Sequence, residues 1–209
     1  MYVLEVLATR VQTVIDANRY AEEHAHVRNR AGAANLNEAF SHLAALAQDA
    51  AELSYEEQQA QIVEFEDHLR RSMMESFELI AKQRLGRIKR EGLWETFQSK
   101  AAPLLARGKL EGAPSEEEIR ELEYRVRYYL EEGRQRKVVT QHAMRWDEWV
   151  KGAEYLAKAS SAADELSRKI RQAVGAAQDY RRHRLTIAVG VISTIAAIAV
   201  IIVTLIATH

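Results

Sequence analysis

Residues 185–207 read LTIAVGVISTIAAIAVIIVTLIA, 23 positions without a single charge. As an α-helix rising 1.5 Å per residue the stretch is roughly 34 Å long, enough to cross a hydrocarbon core of roughly 30 Å. A core helix of a small soluble domain keeps a polar stripe, and none interrupts this one. Directly before it stand Arg181, Arg182, His183 and Arg184. Positive flanks stay on the cytoplasmic side of a bilayer. The sequence therefore predicts a single-pass C-terminal anchor, with the preceding residues facing the cytoplasm and Thr208 and His209 emerging opposite. A secretory signal does not explain an apolar run at this position, and residues 1–15 carry Glu5 and Arg10 in place of an uninterrupted apolar block. A removable lipid-anchor signal would require a signal peptide and a polar spacer, and neither is visible.

Composition constrains what precedes the anchor. The 29 Lys and Arg balance 30 Asp and Glu, and all of them lie before Leu185. A nearly neutral domain of this kind is not built for wholesale nucleic-acid binding, so no nucleic-acid partner is expected. With no Cys there are no disulfides and no thiolate metal sites. Two Pro in 209 residues, with abundant Ala, Leu, Glu, Arg and Gln, predict helix nearly throughout. No segment alternates like a strand. The expected fold is all-α: a cytoplasmic helical bundle whose long C-terminal helix continues into a single transmembrane helix.

Helical spacing recurs along the chain. Leu4, Leu7, Val11, Val14, Ile15, Ala21 and Ala25 mark one buried face of a first helix ending near Arg30. Gly32 and the residues after it predict a break, with a second helix opening near Asn35 or Asn37 and facing inward through Leu36, Phe40, Leu43 and Leu46. Ser54-Tyr55-Glu56-Glu57 is a capping box and should open a long third helix. Its stripe runs Ile62, Phe65, Leu69, Met73, Phe77, Ile80, Leu85, Ile88, and Gly92 follows its basic last turn. Gly108, Gly112 and Pro114 mark a linker over residues 107–114. A second capping box, Ser115 to Glu118, begins a stripe of Ile119, Leu122, Val126 and Tyr129, with Gly133 placed to end or bend it. The chain thus divides into an N-terminal helical region (1–106), the linker (107–114), a coiled-coil-like region (115–184) and the anchor (185–207).

From about Val138 one helix is expected to run into the bilayer. Trp146, Trp149, Ala153 and Leu156, then Ala163, Leu166, Ile170, Ala173, Ala177 and Tyr180, carry its seam. Trp146, Trp149, Leu156, Leu166, Ile170 and Tyr180 are accordingly the candidate interaction residues. Ala-rich seams bury little area per turn, so self-association and an intramolecular bundle are equally compatible with them. Inside the anchor, Gly190, Ser193, Thr194 and Ala197 form a small-residue face of the kind that packs membrane helices together.

Chemistry-bearing patterns are few. Arg19 to His24, Arg19 to His26 and Arg136 to His142 each fit an Arg-x4-6-His spacing. In this spacing, and in being all-helical, the chain resembles the HEPN ribonuclease family. The resemblance implies an Arg that holds a scissile phosphate and a His that moves a proton. Chance supplies nearly as many such spacings among so many Arg and His. Glu23 and His26 have the i, i+3 spacing of di-iron bundles, which need a second such pair and further Glu ligands. Glu22/His26, Glu38/His42 and Glu64/His68 are more simply i, i+4 surface pairs of about 0.2–0.5 kcal/mol each. No catalytic residue, cofactor or metal is therefore expected. The five positive charges within residues 82–90 read as a solvated helix end.

The expected function is that of a membrane-anchored, cytoplasm-facing scaffold that acts by self-association or by binding a protein partner. Two alternatives stand beside it: a membrane-perturbing, pore-forming effector of a bacterial toxin or defence system, and a HEPN-like ribonuclease. The expected partners are the lipid bilayer and a second copy of the chain or another protein.

Overall fold

The computed structural model describes residues 2–49, 51–138 and 146–207, with the side chains of residues 2–6, 137, 138, 147 and 203–207 outside that description. Among the described residues the chain is all-α. The helices are α1 (Tyr2–Ala25), α2 (Arg30–Asp49), α3 (Tyr55–Arg90), α4 (Leu93–Thr96), α5 (Ala102–Leu105), α6 (Glu116–Val138) and α7 (Trp146–Ala207), and a π-helical turn (Phe97–Ala101) joins α4 to α5.

The chain forms two compact units. The first comprises Met1–Glu91 with Arg120–Leu166, and the second Gly92–Ile119 with Ser167–His209. Within the first, α3 is the central helix, packed against both α1 and α2. Its start is fixed by the expected capping box. The Ser54 hydroxyl accepts from the Glu57 amide at 3.3 Å, and the Glu57 carboxylate accepts from the Ser54 amide at 2.8 Å. Phe65, Leu69, Met73, Ile80 and Ile88 of the expected stripe are buried, and so are Ser72, Ser76 and Glu78, because α3 has neighbours on more than one side. Val14, Ala39, Phe65, Leu69, Met74, Trp149, Ala153 and Leu156 form one contiguous core.

The junction of α1 and α2 differs from the sequence expectation. α1 ends at Ala25, and His26 adopts a left-handed conformation at φ 55°. α2 then opens at Arg30, five residues before Asn35, because Asn29 caps it by accepting from the Gly32 amide at 3.1 Å. Gly32 does not break the helix; it is buried in its first turn. A Cβ there would stand 2.2 Å from Asn29 Nδ2 and 2.3 Å from the Asn18 carboxamide oxygen, so a larger residue must displace those two side chains. The inward face of α2 follows from this contact. Gly32 and Ala39, seven residues apart, are buried, whereas Phe40 is turned outward and is 40% exposed.

Gly133 likewise does not end α6, and is buried inside it. A Cβ at Gly133 would come within 2.6 Å of the Leu156 side chain, and one at Gly152 within 2.9 Å of the Met74 methyl. Both glycines sit where another helix of the first unit approaches closely. The second capping box forms as expected: the Glu118 carboxylate accepts from the Ser115 amide at 2.9 Å, and the Ser115 hydroxyl from the Glu118 amide at 3.1 Å. The start of α7 expected near Val138 borders residues outside the description. Val138 is the last residue of α6, and described helix resumes at Trp146.

In the second unit, Phe97, Ala101, Ile119, Ile170, Ala173 and Ala177 are buried. The π-helical turn has a local cause. Pro103 lacks an amide and would press its ring on the carbonyl four residues back. The chain instead widens, and the Ala102 amide donates to Phe97, five residues earlier. Residues 107–114 are turns, with Gly108 and Gly112 at φ 62° and 72°.

Candidate membrane-spanning helix

The sequence of α7 changes character along its length. Ile170, Ala173, Val174 and Ala177 are buried, and Tyr180 is half-buried. Burial stops there. From Arg181 to Ile202 every side chain is exposed. Arg181, Arg182, His183 and Arg184 occupy the first exposed turn. After them come ten exposed branched aliphatic side chains, from Leu185 and Ile187 to Ile201 and Ile202, each at least 50% exposed. One helix is thus long and apolar enough to cross a membrane, and none of that apolar stretch is buried by the chain. A branched side chain left in water forgoes about 1.5–3 kcal/mol of burial free energy. Ten of them together forgo on the order of 10 kcal/mol or more, comparable with the whole stability of a domain.

Two hydroxyls on this stretch are satisfied within the helix. Thr186 donates to the Arg182 carbonyl at 3.0 Å and Thr194 to the Gly190 carbonyl at 2.9 Å. Such back-bonding removes the penalty of a bare hydroxyl in hydrocarbon. Gly190, Ser193, Thr194 and Ala197 share one face of α7 and are all exposed, and nothing lies within 4 Å of a Cβ built on Gly190.

The other candidate residues on α7 sit differently. Trp149, Leu156, Leu166 and Ile170 are buried within the chain, Trp146 is half-buried with the Arg10 guanidinium 5.2 Å from its ring, and Tyr180 lies at the edge of the buried stretch. The four buried side chains serve the chain's own packing, while Trp146 and Tyr180 remain partly accessible.

The nuclease-like pairs are placed as follows. Arg19 is exposed and pairs with Asp16 at 2.9 Å, and the His24 ring lies against that of Tyr20, tilted by 31°, with its Nδ1 on the Tyr20 carbonyl. His142 lies outside the described residues, while Arg136 pairs with Glu148 at 3.0 Å. In the basic run, Lys82 pairs with Glu78 and Arg84 with Asp164, so two of its charges are tied into the first unit.

The expected surface pairs on α1, α2 and α3 take other partners. Glu22 accepts from the Asn29 amide at 2.9 Å. Glu38 reaches across to His68 at 3.0 Å, and the rings of His42 and His68 stack 5.3 Å apart. Burial pulls the His68 imidazole below its usual pKa, opposed by the nearby Glu38 carboxylate. Two i, i+4 repeats on separate helices thus meet as one cluster. The only sequence signal was their recurrence.

The chain matches no family model, no curated protein and no solved structure.

Proposed function

We propose that the protein is a membrane-anchored helical scaffold. Residues 185–207 lie in lipid, and the helical units before them face the cytoplasm and act by association with a second copy or a protein partner. The observation that carries the reading is the abrupt end of burial on α7, followed by a basic turn and then by apolar side chains exposed on every side. A bilayer is the solvent that suits such a surface, and the arginine turn belongs at its cytoplasmic headgroups. The exposed small-residue face is the natural place for two anchors to meet.

Alkaline carbonate extraction of membranes tests the anchor. The full chain should stay in the pellet, a chain ending at residue 184 should be washed out, and an unrelated apolar helix in place of residues 185–207 should restore retention. A tag after His209 should be protected from protease added on the cytoplasmic side. Extraction of the full chain into the wash, or a tag cleaved from the cytoplasmic side, overturns the reading. Dye release from vesicles that depends on the native anchor sequence would favour a pore-forming effector in place of a scaffold.

A further inference from the structure

We propose that His42, His68 and Glu64 hold one divalent transition-metal ion of the zinc class, clamping α2 to α3. One ring nitrogen of each histidine and one carboxylate oxygen of Glu64 lie within 4.8 Å of one another. Two imidazoles and a carboxylate are a zinc ligand set, leaving a fourth position for water or a further carboxylate.

The hydrogen bonds around the cluster prepare the rings for this task. His42 Nδ1 lies 2.7 Å from the Gln61 side-chain oxygen, and His68 Nδ1 lies 3.0 Å from Glu38 Oε2 and 3.4 Å from Asn35 Oδ1. Those partners are acceptors, and in the tautomer that satisfies them each Nδ1 carries the proton and donates. The lone pair of each ring is then on Nε2. Acceptors behind the Nδ1 atoms also fix ring orientation and raise ligand basicity, the arrangement that supports metal-bound histidines generally. The nearby cation Arg71 pairs with Asp67, and its charge, which still reaches His68, is opposed there by the Glu38 and Glu64 carboxylates.

The fit requires a modest closure. Bonds of about 2.0–2.2 Å in a tetrahedron bring ligand atoms to about 3.3 Å from one another. The rings stack 5.3 Å apart with planes 17° from parallel, so half-buried His42 must turn to bring its in-plane lone pair to an ion held by buried His68, while exposed Glu64 swings in. The chain has no Cys, so the competing ligands are its other histidines and its carboxylates.

The test uses the full chain in detergent, purified without a polyhistidine tag and stripped of metal. Calorimetry with Zn2+ should show one ion per chain, and Co2+ should give the visible spectrum of a four-coordinate nitrogen–oxygen site. His42→Gln and Glu64→Gln, both at accessible positions, should weaken Zn2+ binding at least tenfold with helical content unchanged. Glu38→Gln, which touches His68 only through Nδ1, should weaken it about 10- to 100-fold. Nitrogen-15 spectra of the unmodified chain need no variant: Zn2+ should shift the Nε2 signals of two histidines and leave the others in place. Absence of saturable Zn2+ binding, unchanged affinity in both accessible variants, or shifts at any other histidines overturns the site. None of these readouts depends on the anchor.

Discussion

The guanidinium carbon of Arg70 lies 3.1 Å from the centre of the Trp149 ring, and both side chains are buried, at 8% and 6% exposure. Desolvation pulls the Arg70 pKa down to about 10, so the group remains a cation at neutral pH. Its charge is compensated by Asp67 and by the face of the indole. The indole nitrogen of Trp149 is itself buried with no hydrogen-bond partner among the described residues. The ring therefore contributes through its area and its π face, not its N–H. Trp149→Phe should stay within about 1 kcal/mol of the native chain, whereas Trp149→Ala should lose about 3–5 kcal/mol. A double-mutant cycle of Arg70→Met with Trp149→Leu, read by urea unfolding in detergent, should show a coupling of about 1–2 kcal/mol.

The junction of α1, α2 and α3 is a buried polar network. Asn18 donates to Ser72 at 2.7 Å, Asn29 donates to Asn18 at 2.8 Å and to Ser76 at 2.9 Å, and Ser72 donates to the Gly32 carbonyl at 2.7 Å. A satisfied network of this kind specifies one arrangement, and removing one member leaves the others unpaired in a dry site. Gly32→Ala would raise helix propensity on a surface helix, but here the new methyl meets Asn18 and Asn29. It should destabilise the chain by about 1–3 kcal/mol. Asn29→Ala removes the cap as well as two network bonds and should cost about 2 kcal/mol or more. Thermal unfolding followed by circular dichroism distinguishes these costs from the gain expected of propensity alone.

Acid should loosen the start of α3. The Glu57 carboxylate accepts from the Ser54 hydroxyl and from the Ser54 amide, which together hold its pKa below the usual carboxylate value. Its folded pKa thus lies beneath its unfolded one. The stabilisation is fully present above the unfolded value, near 4.3, and fades as pH falls through the lowered folded value. Ser54→Ala should move the Glu57 pKa part of the way back to its ordinary range, because it removes the hydroxyl donor and keeps the backbone amide. A carboxyl-resolved NMR titration of both chains checks the shift, and amide exchange at residues 55–57 should rise in acid only where Ser54 is present.

These contrasts show what a sequence of this type discloses. Both capping boxes, the inward stripe of α3 and the apolar end of α7 were legible because each depends on residues a few positions apart. The α1–α2 junction was not. Gly32 reads locally as a breaker, and only the approach of Asn18 from another helix makes a glycine necessary inside α2. Gly133 misleads for the same reason, since the side chain that requires it, Leu156, lies 23 positions away. The His42–Glu64–His68 cluster joins two helices through a register that no local spacing encodes. Likewise, the seam of α7 gives the positions of Leu156 and Leu166, but heptad spacing is the same whether a helix meets its own chain or another.

The small-residue face of the anchor gives the last prediction. Gly190, Ser193, Thr194 and Ala197 lie on one side of α7, and Ile192 and Ile195 lie opposite. With the Thr194 hydroxyl folded back on the Gly190 carbonyl, the face is smooth and a second helix can approach closely. Packing in lipid gains from van der Waals contact at that close approach, not from the exclusion of water. A bulky residue at Gly190 should therefore separate two anchors, while a change of branching at Ile192 should leave them together. Gly190→Leu is expected to weaken dimerisation in bicelles by about tenfold, corresponding to about 1.4 kcal/mol, and Ile192→Leu by less than about twofold. Energy transfer between labelled chains at varied peptide-to-lipid ratio measures both. Equal effects from the two substitutions would mean that association uses the apolar surface without regard to face, and the anchor would then serve attachment alone.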